Sequence, residues 1–224
     1  MFGNEHASRH WKGCGLDNEA MVWQDLFSRK NRVSVVRHNG LVVVRKRFSC
    51  EESYEREKEA YQLLAKTPIP RPRVMEEYAQ NCMYYEYIDA PTVCDLLESA
   101  EKGEVSEETI IKVYLLMVDW IDLFHQATHT SMGDVNARNF LFDGEVIYGL
   151  DFENTQQDRC VEEDIGQVLA FLMCYTPMDS KLKKKVFESV IEHASGPLAY
   201  DESTVRQAYI RERQILTDRR KSMR

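Results

Sequence analysis

The sequence has no uninterrupted apolar stretch approaching the ~20 residues that cross a bilayer. Its opening residues, MFGNEHASRHWKGCG, show no hydrophobic core of a signal peptide, so the expectation is a cytoplasmic protein with no membrane partner. No C-x-x-C pair occurs among its six cysteines (Cys14, Cys50, Cys82, Cys94, Cys160 and Cys174), which argues against a zinc ribbon or a disulfide frame and reads as reduced, mostly buried thiols. Excess positive charge is also missing. Lys plus Arg number 29 against 37 Asp plus Glu, a net charge of -8, so nucleic acid is not an expected partner. No internal repeat and no low-complexity segment is present, which removes solenoids and propellers. What remains is a chain of 224 residues with ordinary globular composition, long enough for one domain or one bilobal unit.

Two kinds of pattern divide it. Between Val33 and Tyr87 the chain is strand-rich: VSVVRH and LVVVRKRF flank Asn39-Gly40, a preferred dipeptide for a two-residue hairpin turn. Glu51 to Lys66 is dense in helix formers and ends before Pro68, Pro70 and Pro72, after which RVMEEYA and CMYYEYI read as strands. Beyond Asp89 to Gly103 the pattern becomes mainly helical. Ser106 is a candidate N-cap for a long apolar helix through Phe124, and further helices are expected near Glu163 to Tyr175, Ser180 to His193 and Glu202 to Arg220. A second short hairpin, NFLF, Asp143-Gly144 and EVIYGLD, lies between them. The expected fold is α+β, an N-terminal antiparallel sheet plus one helix followed by a mainly helical part, with the boundary near residue 88 and residues 1-25 as a variable extension.

The segment from Met132 to Asn154, MGDVNARNFLFDGEVIYGLDFEN, holds Gly-Asp, an Asn five residues after that Asp, a hairpin, and an Asp-Phe-Glu opening twelve residues after the Asn. This resembles the protein-kinase-like superfamily, and within it the small atypical members: RIO-type kinases, the kinase associated with tRNA threonylcarbamoylation, lipopolysaccharide-core kinases, and aminoglycoside or choline phosphotransferases. The resemblance implies a two-lobed fold and ATP-dependent transfer of a γ-phosphate to a hydroxyl. Asp134 would be the carboxylate at the acceptor, and Asn139 and Asp151 would hold Mg²⁺. That chemistry requires an acceptor hydroxyl held in line beside a carboxylate, with hard oxygen ligands for the cation.

Other positions fall in the order the resemblance implies. On the strand LVVVRKRF, Val42, Val44, Lys46 and Phe48 share one face, which makes Lys46 the candidate phosphate-gripping cation, with Arg45 as its rival. In the following helix Glu57, Ala60, Tyr61 and Leu64 share a face, so Glu57 is the expected partner of Lys46 and Glu59 the second choice. The backbone of Glu86, Tyr87 and Ile88 would meet the adenine edge. Asp164 would hold the catalytic loop or act as a simple N-cap. The pattern departs from the family in three places: Ser28-Arg29-Lys30-Asn31-Arg32 stands where a glycine-rich loop is expected, Glu153 replaces the Gly of Asp-Phe-Gly, and only twelve residues separate Asp151 from Asp164. Glu153 reads either as a further metal ligand or as a rigid turn residue. Arg138, the pair His125 and His129, and the set His6, His10 and Cys14 are weaker candidates, read first as surface or structural groups. Seven basic residues between Arg206 and Arg224 read first as a solvated helix face. The sequence therefore points to an ATP- and Mg²⁺-dependent phosphotransferase. A protein Ser/Thr acceptor is favoured, with a small-molecule kinase or an inactive nucleotide-binding scaffold as alternatives.

Overall fold

A computed structural model of the protein describes residues 21–222 except 27, 29, 79 and 80. The chain is α+β, with a five-stranded antiparallel sheet in the N-terminal part and a mostly helical C-terminal part. Strands β1 (Met21–Leu26), β2 (Arg32–His38), β3 (Leu41–Arg47), β4 (Val74–Tyr78) and β5 (Cys82–Glu86) are ordered β1-β2-β3-β5-β4. The β2–β3 hairpin turns on Asn39 (φ 49°) and Gly40 (φ 80°), the two positive φ values that its favoured turn needs. Its register pairs Val35 with Val44 and Val33 with Lys46, so these residues share one face. On the other face Val36, Val43, Cys82 and Tyr84 form a small apolar cluster. Strand β1 lies largely within the segment read as an extension and is instead part of the sheet, pairing Gln24 with Val35 and Asp25 with Ser34.

Helix α1 (Glu51–Leu64) follows β3 and buries Tyr54, Glu57, Ala60, Tyr61 and Leu64, ending before the proline cluster. Helix α2 (Val93–Glu101) occupies the segment that carried no helical expectation. Its start is a capping box in which Thr92 Oγ1 accepts the Asp95 N–H at 3.1 Å and Asp95 Oδ2 accepts the Thr92 N–H at 3.0 Å. Helix α3 (Glu107–Thr128) begins where Ser106 Oγ accepts the Thr109 N–H and runs a turn past Phe124, to a left-handed cap at His129. A short 3₁₀ turn (Ala137–Asn139) leads into the two-stranded β6 (Phe140–Phe142) and β7 (Ile147–Gly149), followed by α4 (Val161–Cys174), α5 (Lys181–Ser195) and α6 (Glu202–Ser222).

A large apolar core reaches from the sheet into the helices. Phe152 is the meeting point: its ring lies 5.2 Å from Tyr61 of α1 and stacks on Trp120 (6.0 Å) and Phe124 (5.6 Å) of α3. Trp120 Nε1 donates to the Pro70 carbonyl at 2.8 Å, tying α3 to the segment between α1 and β4. Helices α4 and α6 approach so closely that a Cβ on Gly166 would stand 2.4 Å from the Ala208 Cβ and 2.7 Å from the Tyr209 nitrogen. Among the described residues no helix is long and apolar enough to cross a membrane.

Candidate functional site

Lys46 is buried on the α1-facing side of β3, and its ammonium gathers carboxylates from three distant places in the sequence. Glu57 Oε2 of α1 is 2.5 Å away, Asp151 Oδ1 just after β7 is 2.6 Å away, and Glu153 Oε2 is 3.8 Å away. Burial works to lower the Lys46 pKa, but the charges of Glu57 and Asp151 outweigh it and hold the ammonium well above the usual lysine value. Tyr85 donates its hydroxyl to the second oxygen of Glu57 at 2.7 Å; burial, then the nearby Glu57 charge, keeps that phenol protonated. Of the residues the sequence left open, Lys46 and Glu57 are the two that meet. Arg45 points to the opposite face, where it reaches Ser34 Oγ, and Glu59 is solvent-exposed on α1.

The chain around Asp134 is held from several sides. Reciprocal backbone bonds between Ser131 and Gln156 clasp the two ends of the segment. Gly133 has φ +76°, and a Cβ there would lie 2.1 Å from the Asn154 carbonyl oxygen, so the residue before Asp134 is restricted to glycine. Asp164 Oδ2 accepts the Met132 N–H at 2.8 Å and Gln167 Oε1 accepts the Val135 N–H at 3.1 Å. Asp164 is thus the brace of this loop rather than an N-cap; Cys160 holds the cap position of α4. Gln167 was not foreseen, although its position three residues after Asp164 puts both on one helical face. Asn136 also went unforeseen: its Nδ2 donates to Asp134 Oδ1 at 2.8 Å while its Oδ1 accepts the Arg138 N–H at 2.9 Å, which fixes the carboxylate. Burial pushes the Asp134 carboxyl up against that donated bond, and the Asp151 charge pushes it further.

Asp151 takes a left-handed conformation, φ 63°, uncommon for a residue with a side chain and placed next to the ammonium it pairs with. The oxygens of Glu57, Asp151 and Glu153 lie within 4.8 Å of one another, a set of hard donors suited to a divalent cation. Asn139, expected to act with Asp151, is held beside the same segment. Its Nδ2 donates to the Asp134 carbonyl at 2.9 Å, which leaves Oδ1 as its remaining acceptor, and its own carbonyl accepts the Leu150 N–H at 2.8 Å beside Asp151.

The Glu86 N–H already donates to the Arg73 carbonyl at 2.9 Å and the Ile88 carbonyl accepts from Ala90, so neither of these groups faces a ligand unpaired. A cavity of about 310 Å³ lined by Gln24, Val35, Val42 and Tyr87 lies on the Lys46 face of the sheet. Glu86 itself forms a two-pronged ion pair with Arg73.

The remaining candidates are structural. His125 Nε2 lies 3.2 Å from the Arg159 carbonyl oxygen and His129 caps α3, while Arg138 is exposed beside the Tyr175 ring. On α6, Arg206 pairs with Glu202, Arg211 with Glu163 and Arg213 with Asp179, and Arg220 donates to the Cys174 carbonyl. His6, His10 and Cys14 lie outside the described residues. No family model matches the sequence, and comparison with curated proteins finds no match.

Proposed function

We propose that the protein is an ATP-dependent phosphotransferase with the two-lobed architecture of the protein-kinase-like superfamily, residues 1-88 forming one lobe and 89-224 the other. One observation carries the reading: the ammonium of a buried lysine on β3 lies within 2.6 Å both of a buried glutamate of α1 and of an aspartate 105 residues further along the chain. Holding a desolvated ammonium and two carboxylates in one place is costly unless the charges are used or paired, and such clusters concentrate at functional sites. Lys46 grips phosphate oxygens, Glu57 orients Lys46, and Asp134, whose carboxyl burial moves toward the neutral range, positions or deprotonates the acceptor hydroxyl. Asp151 and Glu153, whose carboxylate oxygens lie close together, would hold Mg²⁺ with the Asn139 amide oxygen, and the cation would neutralise phosphate charge when bound. The cavity at Gln24, Val35, Val42 and Tyr87 accommodates the purine on the same sheet face. With twelve residues between Asp151 and Asp164 there is no room for a long regulated segment, which favours an atypical kinase over a regulated one. The modest helical region after Asp151 favours a protein Ser/Thr acceptor over a small molecule.

Thermal unfolding with ATP and MgCl₂ tests the reading. A ligand at ~100 times its Kd adds about 2.7 kcal/mol, a rise in Tm on the order of 5 °C for a chain of this size. The rise is expected to require magnesium and to vanish in Asp151→Asn. No shift in the wild type at millimolar nucleotide would favour the non-catalytic scaffold instead.

A further inference from the structure

Asn31 directly precedes β2 and is 9% exposed, with both ends of its side chain engaged. Its Nδ2 donates to Glu153 Oε2 at 2.6 Å and its Oδ1 accepts the Ser49 N–H at 3.1 Å. One short side chain therefore ties together the start of β2, the residue two beyond β3, and the Asp-Phe-Glu segment 122 residues away. The Asn31 N–H is also held, by Ser28 Oγ at 3.2 Å.

Lys30 projects from this anchored point. Its side chain is 63% exposed, with Nζ 3.5 Å from Asn154 Oδ1 and 4.0 Å from Glu153 Oε1. Glu153 is thus flanked by two ammonium groups, Lys46 on the buried side and Lys30 on the open side. Lys46 already faces three carboxylates. A triphosphate brought to that cluster meets negative charge on several sides, and a second protein cation at its edge relieves the repulsion.

We propose that Asn31 is a positioning residue: by fastening the start of β2 to Glu153 and Ser49, it holds Lys30 where a nucleoside triphosphate's outer phosphates enter the site. The arrangement does with one side-chain anchor and one cation what the absent glycine-rich loop would do with backbone amides. This inference rests on the phosphotransferase reading above.

The test is equilibrium binding of Mg-ATP and, separately, of AMP to the wild type, Lys30→Ala, Asn31→Ala and Asn31→Asp. Lys30→Ala alters an exposed residue and leaves the fold intact. Both alanine variants are expected to weaken Mg-ATP binding roughly tenfold while AMP affinity changes by less than about twofold, because AMP does not reach the outer phosphate position. Asn31→Asp, which sets a carboxylate against Glu153, is expected to lose more than Asn31→Ala. An equal loss for ATP and AMP, or no loss in either alanine variant, overturns the role of Asn31 and Lys30 while leaving the phosphotransferase reading in place. A wild type that binds neither nucleotide overturns that reading and this role with it.

Discussion

At the scale of single residues, Asp164 shows how a structural carboxylate becomes a pH-dependent one. Its Oδ2 takes the Met132 N–H while Oδ1 is buried without a hydrogen-bond partner. Burial pushes its carboxyl up to about 6; the Met132 N–H, Arg159 and His125 pull it back only in part. The folded value lies above the unfolded ~3.9, so the native state binds more protons between the two. The stability this group contributes is present below about pH 4 and lost as pH rises through about 6. The wild type, compared with Asp164→Asn, is therefore expected to lose on the order of 2 to 3 kcal/mol between about pH 4 and pH 7.5, read by urea unfolding at each pH. A difference that does not change with pH would contradict the assignment. Lys46, Glu57, Asp134, Asn139, Asp151 and Asp164 could be singled out from the sequence because strand alternation, helical spacing and the Gly-Asp pattern mark them locally. Asn31 and Gln167 could not, because their partners are 122 and 32 residues away and a lone amide beside a strand or inside a helix has no periodic signature. Glu153 was legible beside Asp151 as one reading, a further metal ligand, whereas the approach of Glu57 to both was not, because only the packing of α1 against the Asp-Phe-Glu segment creates it.

Elements divide along the same line. Hairpins announced by Asn39-Gly40 and Asp143-Gly144 form where their turn residues require, and α3 starts at the Ser106 cap, since each of these signals acts within a few residues. Strand β1 escaped because MVWQDL has no clean alternation and becomes a strand only by pairing with β2. Helix α2 left a usable local trace, the Thr92-x-x-Asp95 box, that its short length obscured. Among the helices the tightest constraint is the crossing of α4 on α6 at Gly166, where any Cβ meets the backbone of α6. Gly166→Leu is expected to cost at least about 2 kcal/mol by forcing the two helices apart, measured as a lower urea midpoint with unchanged slope. A variant as stable as the wild type would show that this crossing yields freely.

Across the whole molecule, the sheet and the helices share apolar material. Tyr61 and Met83 from the N-terminal part belong to the same buried cluster as Trp120, Phe124 and Phe152. Neither part can open without exposing the other's side chains, so urea unfolding is expected to be a single transition in which far-UV circular dichroism and tyrosine absorbance coincide. Two separated steps would indicate that the parts fold independently. The same shared core has an optical consequence. The Trp120 indole is stacked within 4° of parallel on Phe152, the residue between Asp151 and Glu153, and its N–H is bonded to Pro70. Any shift of the Asp-Phe-Glu segment alters the surroundings of that chromophore, so the wavelength and intensity of its emission follow the state of the carboxylate cluster next door. With Trp11 and Trp23 exchanged for phenylalanine, the chain becomes its own label-free sensor of the site.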